Sequence, residues 1–436
     1  MPLRRIRLVA AGVAAALLLG ACGRGVPEER VSSRAPLPSD IAERPPATAA
    51  TEPSVPARPL TTATTGPPPT APPASSGFGG AGATPSTTAK PAAGDACPAP
   101  TVTEFALPVG TKPGTLAATH DGSVWFTDGG AASVGHLGPD GTVKLFPVSG
   151  GRQPAGVAVD VDGDAWFTEY AWYRPGGPPD PAAARPAIGR VTPEGAMTEF
   201  PLPTVQANPM GVPDMGSSPS AIIVGPDGAM WFVETGADQI GRVSSEGLIT
   251  EYPLPSRNRV HANPEGIVAG PDGAVWFTEA LTDRLGRIDP ATGTITEFTT
   301  FPSALRGISA SVATAVDGAL WFDNINAPVI GRMTTAGTVS VVPLPDRYKP
   351  TSVAPGPDGR IWFFDQQKPA VVRLSPTGQP SDVVTVPGGP DQYVGGGALA
   401  PDPFGPLWFV EPAAGKIARL ACGPAAPAGN ATRGVV

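Results

Sequence analysis

The feature that most constrains the fold of this chain is an internal sequence repeat. Residues 225–242 read "GPDGAMWFVETGADQIGR" and residues 270–287 read "GPDGAVWFTEALTDRLGR". The same pattern returns seven times after residue 100, each time around a Trp-Phe pair. Most steps between pairs are 41 to 46 residues, and the tryptophans are Trp125, Trp166, Trp231, Trp276, Trp321, Trp362 and Trp408.

Each repeat has the same internal order. A small-apolar run leads to an Asp-Gly turn, then to Trp-Phe and an acid, then to "IGR", and finally to "TEFPLP" or a variant of it. Asp-Gly between two apolar runs favours a hairpin, so each repeat predicts four short antiparallel strands, which we call A to D. A period near 45 residues with four strands is typical of a propeller blade. The sequence therefore predicts an all-β, seven-bladed β-propeller of four-stranded antiparallel blades.

The beginning of the chain predicts export and anchoring. Three arginines precede a short apolar run that ends in Leu19-Gly20-Ala21-Cys22, which resembles a bacterial lipobox. We expect a signal peptide at 1–21, lipidation at Cys22, and a location at the outer face of the cytoplasmic membrane. Residues 22–96 are rich in Pro, Thr and Ala and are predicted to form a disordered tether. The propeller is expected at 97–423, followed by a disordered tail at 424–436.

The two ends of the predicted propeller complement each other. The seventh repeat ends at "KIARLACG" without a strand D, whereas "TVTEFALP" precedes the first repeat without strands of its own. We expect the N-terminal strand, residues 101–107, to supply strand D of the seventh blade and to close the ring. Overlaying the repeats puts Cys97 beside Cys422, and in an exported chain this predicts a disulfide.

Charge excludes one class of partner. Charged residues make up 16% of the chain, the net charge is −8, and no basic stripe is present, so a nucleic-acid partner is not expected. We expect a monomer whose partners are the bacterial membrane, through the lipid anchor, and a small molecule, glycan or peptide.

The segments "PEGIVAGPDGAVWFTEALTDRLGRI" and "TEYPLP" resemble the virginiamycin B lyase (streptogramin lyase) family over about residues 101–421. The resemblance implies a seven-bladed propeller that opens the ester-linked ring of type B streptogramins by elimination, with Mg2+ assisting. It also implies histidines in Pro-His-Gly patterns of the last two blades, the last one acting as general acid. Here those positions hold Thr351 and a residue near Gly395. Glu411 remains near the family's catalytic carboxylate. The missing histidine places the elimination in doubt.

Two rings of side chains are predicted near the mouth of the channel. The inner ring lies eleven residues before the Trp in the first six repeats and is expected to open strand A: Gly114, Ala155, Ser220, Glu265, Ala310 and Thr351. The seventh repeat has a longer hairpin, which puts its member near Gly395. The acid ring lies three residues after each Trp: Asp128, Glu169, Glu234, Glu279, Asn324, Asp365 and Glu411. Carboxylates around a mouth could hold Mg2+ or Ca2+. A residue repeated in nearly every blade also answers a structural need of every blade, such as capping a loop.

The exceptions to the two rings are the better candidates for function. Glu265 is the one charged member of the inner ring and Asn324 interrupts the acid ring, so both are predicted to bind ligand. Glu265 and Glu411 are the metal candidates. His261 lies in the loop before Glu265 and, with Glu411, is a candidate catalytic group. The alternative for His261 is an ordinary solvated loop residue.

Insertions point to the same face. Residues 170–187 lengthen the loop between strands B and C of the second blade, and residues 204–218 lengthen the next D–A loop. Both loop types lie at the mouth, where Tyr170, Trp172, Tyr173 and Met210 would form an apolar rim. The alternative is a pair of tolerated surface loops. Two interpretations remain: a lipid-anchored binding module, or an enzyme, either a diverged lyase or a metal-assisted, gluconolactonase-like hydrolase.

Overall fold

The computed structural model describes residue 97, residues 100–422 with gaps, and residues 432–434. The gaps are 151, 172–184, 205–216, 256–260, 302–304, 306, 308, 368, 376, 387–398 and 403–404. All described residues lie in one compact unit, Ser86–Val436. The predicted signal peptide and tether, Cys22, Trp172, Tyr173, Met210 and the inner-ring residue near Gly395 lie outside the described residues. No helix within the described part of the chain is long and apolar enough to cross a membrane.

Within the described residues, twenty-nine strands form seven sheets. In chain order the first fifteen are β1 (Pro100–Ala106), β2 (Pro113–Ala118), β3 (Val124–Asp128), β4 (Ser133–Leu137), β5 (Val143–Pro147), β6 (Arg152–Val159), β7 (Ala165–Ala171), β8 (Ala187–Val191), β9 (Met197–Pro201), β10 (Pro219–Val224), β11 (Met230–Glu234), β12 (Gln239–Val243), β13 (Ile249–Pro253), β14 (Pro264–Ala269) and β15 (Val275–Glu279). The others are β16 (Arg284–Ile288), β17 (Ile295–Thr299), β18 (Val312–Thr314), β19 (Ala319–Phe322), β20 (Val329–Thr334), β21 (Val339–Pro343), β22 (Pro350–Pro355), β23 (Ile361–Asp365), β24 (Ala370–Leu374), β25 (Pro380–Thr385), β26 (Leu399–Pro401), β27 (Leu407–Glu411), β28 (Lys416–Cys422) and β29 (Thr432–Gly434).

The predicted fold class is confirmed. Six sheets are four consecutive antiparallel strands, from β2–β5 in the first blade to β22–β25 in the sixth. Strand A of each blade contacts strand A of the next, and β26 of the seventh blade contacts β2 of the first. The A strands therefore line the inside of the ring, and the B–C and D–A loops share the face that carries the mouth.

The seventh sheet takes strands from both ends of the propeller, in the order β26-β27-β28-β1-β29. β1 pairs antiparallel with β28 from Pro100 opposite Cys422 to Ala106 opposite Lys416. On its other edge β1 pairs with β29, where the sequence predicts a disordered tail. An unpaired edge strand is a template for pairing, and β29 covers part of the edge that β1 presents.

The predicted disulfide joins Cys97 to Cys422, with the two Cα atoms 4.8 Å apart. Cys97 is buried, and its carbonyl accepts a hydrogen bond from Arg373 of the sixth blade at 3.2 Å. The bridge therefore fixes the start of β1 to the end of β28.

A triad of side chains explains the Asp-Gly, Trp and "IGR" parts of the repeat. In the third blade the Trp231 Nε1–H donates to Asp227 Oδ1 at 2.8 Å, and the Arg242 Nε lies 2.7 Å from Asp227 Oδ2. The fourth blade repeats both contacts with its own Asp, Trp and Arg. The indole can be fully buried because its one donor is satisfied inside the blade.

The glycine of "IGR" is required by close packing. A Cβ at Gly241 would lie 2.1 Å from the ring of Phe232, which is fully buried opposite it on β11. The corresponding glycines of the second, fourth and fifth blades meet their own Phe rings in the same way. The Trp faces one neighbouring blade and the Phe faces the other, so the Trp-Phe pair forms the core between blades.

Candidate functional site

The inner ring lies on irregular backbone. The sequence predicts that these residues open strand A. In five of the blades, the first to fourth and the sixth, the ring residue instead follows a proline of strand A and lies in a β-bulge. In the fourth blade the register shifts between Pro264 and Ile267, which places Glu265 in the bulge. The first, second, third and sixth blades shift at the same point. Bulges re-aim side chains, so this ring is a place where the fold can present a group to the mouth.

Hydroxyl groups connect neighbouring blades at this level. The Thr115 hydroxyl donates to the carbonyl of Ala155 in the next blade at 2.9 Å. The Thr235 hydroxyl donates in the same way to Pro264 at 2.7 Å. These bonds tie the first blade to the second and the third blade to the fourth at the level of the inner ring.

Glu265 is a partly buried carboxyl in this ring. The Asn263 side-chain amide donates to Glu265 Oε1 at 2.6 Å. Burial raises the pKa of Glu265 to about 7, because the charged form loses hydration, and the bond from Asn263 opposes this only in part. Glu265 can therefore gain or lose a proton near neutral pH, or be held ionised by a positive ligand.

Asp323 is a second carboxyl that sequence reasoning missed. It is fully buried, and its Oδ1 accepts the N–H groups of Ala310 and Ser311, both at 2.9 Å. Its Oδ2 has no hydrogen-bond partner within the described chain. Burial, with a smaller contribution from the charge of Glu265, raises the pKa of Asp323 to about 7, and the N–H groups of Ser311 and Ala310 oppose this rise in part. The fourth and fifth blades thus bring two carboxyl groups within electrostatic reach of each other.

A comparison of the repeats could have found Asp323. It occupies the second position after Trp, where the first, second and fourth blades have Thr127, Thr168 and Thr278. In the fourth blade the Thr278 hydroxyl accepts the N–H of Gly266 in the bulge at 2.9 Å. Asp323 likewise accepts backbone N–H groups with its Oδ1, and its Oδ2 is not used in this contact. The replacement of Thr by Asp therefore adds a carboxyl oxygen that the bulge does not need.

His261 is oriented by a buried aspartate. Its Nδ1 lies 2.7 Å from Asp238 Oδ2, and Asp238 Oδ1 accepts the N–H groups of Ala262 and Asn263 at 3.0 and 2.9 Å. The imidazole is 14% exposed, so it keeps some access to solvent. Asn263 then connects this pair to Glu265. The structure therefore joins two predicted site residues, His261 and Glu265, in one hydrogen-bonded network.

The acid ring contacts loops of its own blades. All seven members are at most 2% exposed. Asp128 accepts the N–H groups of Lys112 and Gly130, both at 2.8 Å. Asn324 accepts from Asn326 and Ala327 and donates to the Leu305 carbonyl at 2.9 Å. These contacts favour the capping role for Asp128 and Asn324. Ligand binding by Asn324 stays a prediction.

The remaining predicted residues are separated from Glu265. Glu411 is fully buried at the end of β27, opposite Lys416, in the seventh blade and therefore three blades away. Tyr170 lies in β7 opposite Gln153, where burial raises the pKa of its phenol. Thr351, at the family's histidine position in the sixth blade, is 1% exposed, and its hydroxyl donates to the Phe364 carbonyl at 3.5 Å.

Within the described residues, no group of three or more His, Cys, Asp or Glu side chains is placed to hold a metal ion. Glu265 and Glu411, the two predicted metal ligands, belong to the fourth and seventh blades. Metal binding at either residue stays a prediction.

The chain is similar to virginiamycin B lyases in sequence and in fold. The Virginiamycin B lyase family matches residues 212–425. A virginiamycin B lyase from Nocardia farcinica is 42% identical over 77 residues, which are 17% of this chain and 24% of that protein. The match thus spans about a quarter of that relative.

Two solved structures align over nearly their whole length. Virginiamycin B lyase from Staphylococcus aureus is 28% identical with a TM-score of 0.60, over 74% of this chain and 99% of that one. A catalytically inactive variant of that enzyme, with one histidine replaced by alanine and with quinupristin present, is 29% identical with a TM-score of 0.59 over the same shares.

Proposed function

We propose that this chain, a virginiamycin B lyase-like seven-bladed β-propeller, is a lipid-anchored binding module that holds a small ligand, glycan or peptide at the mouth of its channel. The observation that carries the proposal is the Glu265–Asp323 pair. The shared architecture of the blades does not explain this pair, whereas Asp128 and Asn324 of the acid ring cap loops of their own blades.

The chemistry of the pair favours a positively charged or hydrogen-bond-donating group on the ligand. An ammonium group brought to Glu265 would pair with a carboxylate that burial otherwise disfavours in its charged form. The unpartnered Oδ2 of Asp323 provides a second acceptor in the same region. Asn263, itself bonded to the His261–Asp238 pair through Asp238, holds the Glu265 carboxyl in place. This reduces the entropy that Glu265 would lose when a ligand binds.

We expect Glu265→Gln to weaken ligand binding by about 10-fold or more, since a charge-assisted hydrogen bond contributes roughly 1.5–3 kcal/mol. The measurement is a thermal-shift screen of short peptides, glycans and quinupristin, followed by calorimetric titration of the hits. Glu246→Gln is the matched control, because Glu246 is an exposed acid on a C–D turn of the opposite face. If a ligand binds to Glu265→Gln and to Glu246→Gln with the same affinity, the binding site does not include Glu265.

The anchor is tested separately from the mouth. We propose that the chain is cleaved before Cys22, so that Cys22 becomes the new N-terminus and its thiol is lipidated. The lipobox-like Leu19-Gly20-Ala21-Cys22 and the apolar run before it support this proposal. Expression of Cys22→Ser in a bacterial host is expected to shift the protein from the detergent phase to the aqueous phase of a Triton X-114 partition. Equal partition of Cys22→Ser and wild type into detergent would exclude Cys22 as the anchor.

A diverged enzyme is the second candidate, and the His261–Asp238 pair is the observation that favours it. A carboxylate bonded to one nitrogen of an imidazole orients the ring and sets its tautomer, as general acids and bases require. The proton would move at Nε2 of His261, the nitrogen that faces away from Asp238. This role is separable from binding because it needs turnover of the ligand.

A further inference from the structure

Four blades place two glutamates on the same face, in the same register. The acid-ring member lies opposite the first residue of strand C, and the Glu of the "TEF" motif lies opposite the residue two positions further along strand C. In the third blade Glu234 pairs with Gln239, and Gly241 pairs with Glu251. The equivalent pairs of the other blades are Glu169 and Glu199, Glu279 and Glu297, and Glu411 and Glu104.

Three of these blades supply a cation of their own. In the second blade Arg152 forms ion pairs with both Glu169 and Glu199. In the fourth blade Arg284, the first residue of strand C, lies 2.8 Å from Glu297. In the seventh blade Lys416, at the same position, lies 2.7 Å from Glu104. A positive side chain is therefore the normal companion of the glutamate pair in this propeller.

Among the residues that the structure describes, the third blade has the glutamate pair without a paired cation. Gln239 stands where the fourth and seventh blades have Arg and Lys, and its amide donates to Glu234 Oε2 at 3.0 Å. No lysine or arginine is paired with Glu234 or Glu251 within the part of the chain that the structure describes. Glu234 is nevertheless fully buried, and its Oε1 has no hydrogen-bond partner there. Burial, and then the charge of Glu251, raise the pKa of Glu234 to about 8.

Further oxygen atoms surround this pair. The buried Ser217 hydroxyl lies beside the Glu234 carboxyl. Both the hydroxyl and the N–H of Thr204 donate to Glu251. Thr204 and Ser217 are the two described ends of the insertion between the second and third blades. Thr204 and Ser217 therefore both lie beside the glutamate pair of the third blade.

We propose that Glu234 and Glu251 bind a hard divalent cation, Ca2+ or Mg2+, at the position that Arg284 and Lys416 fill in other blades. Two carboxylates and a hydroxyl are oxygen ligands of the kind these ions prefer, and water completes the shell. One divalent ion also balances the two negative charges. The site is distinct from the Glu265–Asp323 pair, which belongs to the fourth and fifth blades, and does not depend on the proposed ligand.

The test is the melting temperature of the whole exported chain in EDTA, in CaCl2 and in MgCl2. We expect one of the two ions to raise the Tm of wild type by about 2 to 5 °C at saturating concentration. Gln239→Arg copies the fourth blade, and we expect it to raise the Tm in EDTA and to remove the response to the ion. Glu251→Gln should also lose the response without adding a charge.

The matched control is Glu297→Gln, which changes the equivalent glutamate of the fourth blade, where Arg284 supplies the charge. It should keep the wild-type ion response. A response that survives in both Gln239→Arg and Glu251→Gln, or its absence in wild type, would overturn the proposal.

Proton binding by Glu234 is the rival outcome, and pH separates the two. Because the pKa of Glu234 is raised in the folded state, its protonation stabilises the fold. This contribution is fully present below the ordinary pKa of 4.5 and is lost as the pH rises through about 8. Since protons compete with the cation, the ion-induced Tm shift should be larger at pH 8.5 than at pH 6. If the Tm falls over this range in wild type but not in Glu234→Gln, and no ion restores it, then a proton alone fills the site.

Discussion

Replacing Cys422 with serine is expected to lower the free energy of unfolding of the propeller by about 5 kcal/mol. The disulfide joins residues 325 positions apart, so its loss restores a large amount of chain entropy to the unfolded state. It also releases the start of β1 from β28. β1 contributes Val102 and Phe105, both buried, to the core of the seventh and first blades, so fraying there would expose apolar surface at the seam.

The measurement is chemical unfolding of wild type, Cys422→Ser, and the double variant in which Cys97 is also serine. The two variants should agree, because the second thiol has no further partner, and wild type in reductant should approach both. Two free thiols in the untreated protein, together with unchanged melting on reduction, would show that the bridge does not form.

Incubation with a type B streptogramin such as quinupristin is expected to give linear product at least about 100-fold more slowly than with a virginiamycin B lyase. General acid–base groups typically contribute 10²–10⁴-fold to rate. The resemblance implies histidines at two positions where this chain has Thr351 and a residue near Gly395. The Staphylococcus aureus lyase is catalytically inactive when one histidine becomes alanine. The Thr351 hydroxyl is buried and bonded to Phe364, so it cannot replace an imidazole.

Mass spectrometry of the antibiotic after incubation, with and without Mg2+, decides this prediction. A known lyase run under the same conditions provides the reference rate. Rapid linearisation would contradict the assignment, and His261→Ala would then show whether the His261–Asp238 pair had taken over the proton transfer. Binding of quinupristin without conversion would instead agree with a binding module built on a lyase-like fold.

The fold could be predicted closely because the contacts that define a blade are made within that blade. Asp227, Trp231 and Arg242 interact within one blade, and Gly241 fits against Phe232 in that same blade. Contacts of this kind are short in sequence, so their spacing is visible as a repeated motif. The disulfide could be predicted for the same reason, since the overlay of repeats aligns Cys97 and Cys422 with the two sides of one C–D turn.

The candidate site was harder to predict because it lies where blades meet and where the repeat is broken. Glu265 stood out as a charge in a ring of small residues, but its neighbour Asp323 belongs to the next blade and replaces a threonine that serves the bulge. The unbalanced glutamates of the third blade show the same difficulty. Glu234 looks identical to its counterparts in sequence, and only the partner at Gln239 reveals the difference.

The meeting of the two ends of the propeller has a consequence for how the ring could be cut. Cys97 and Cys422 sit side by side, at the place where other blades have a continuous C–D turn. A short peptide linker could therefore replace the bridge, and the chain could be opened at the corresponding turn of another blade, such as Ser244–Gly247. Such a circular permutant would lose only the pairing of β29 with β1, and it would keep the strand pairings within the seven four-stranded blades.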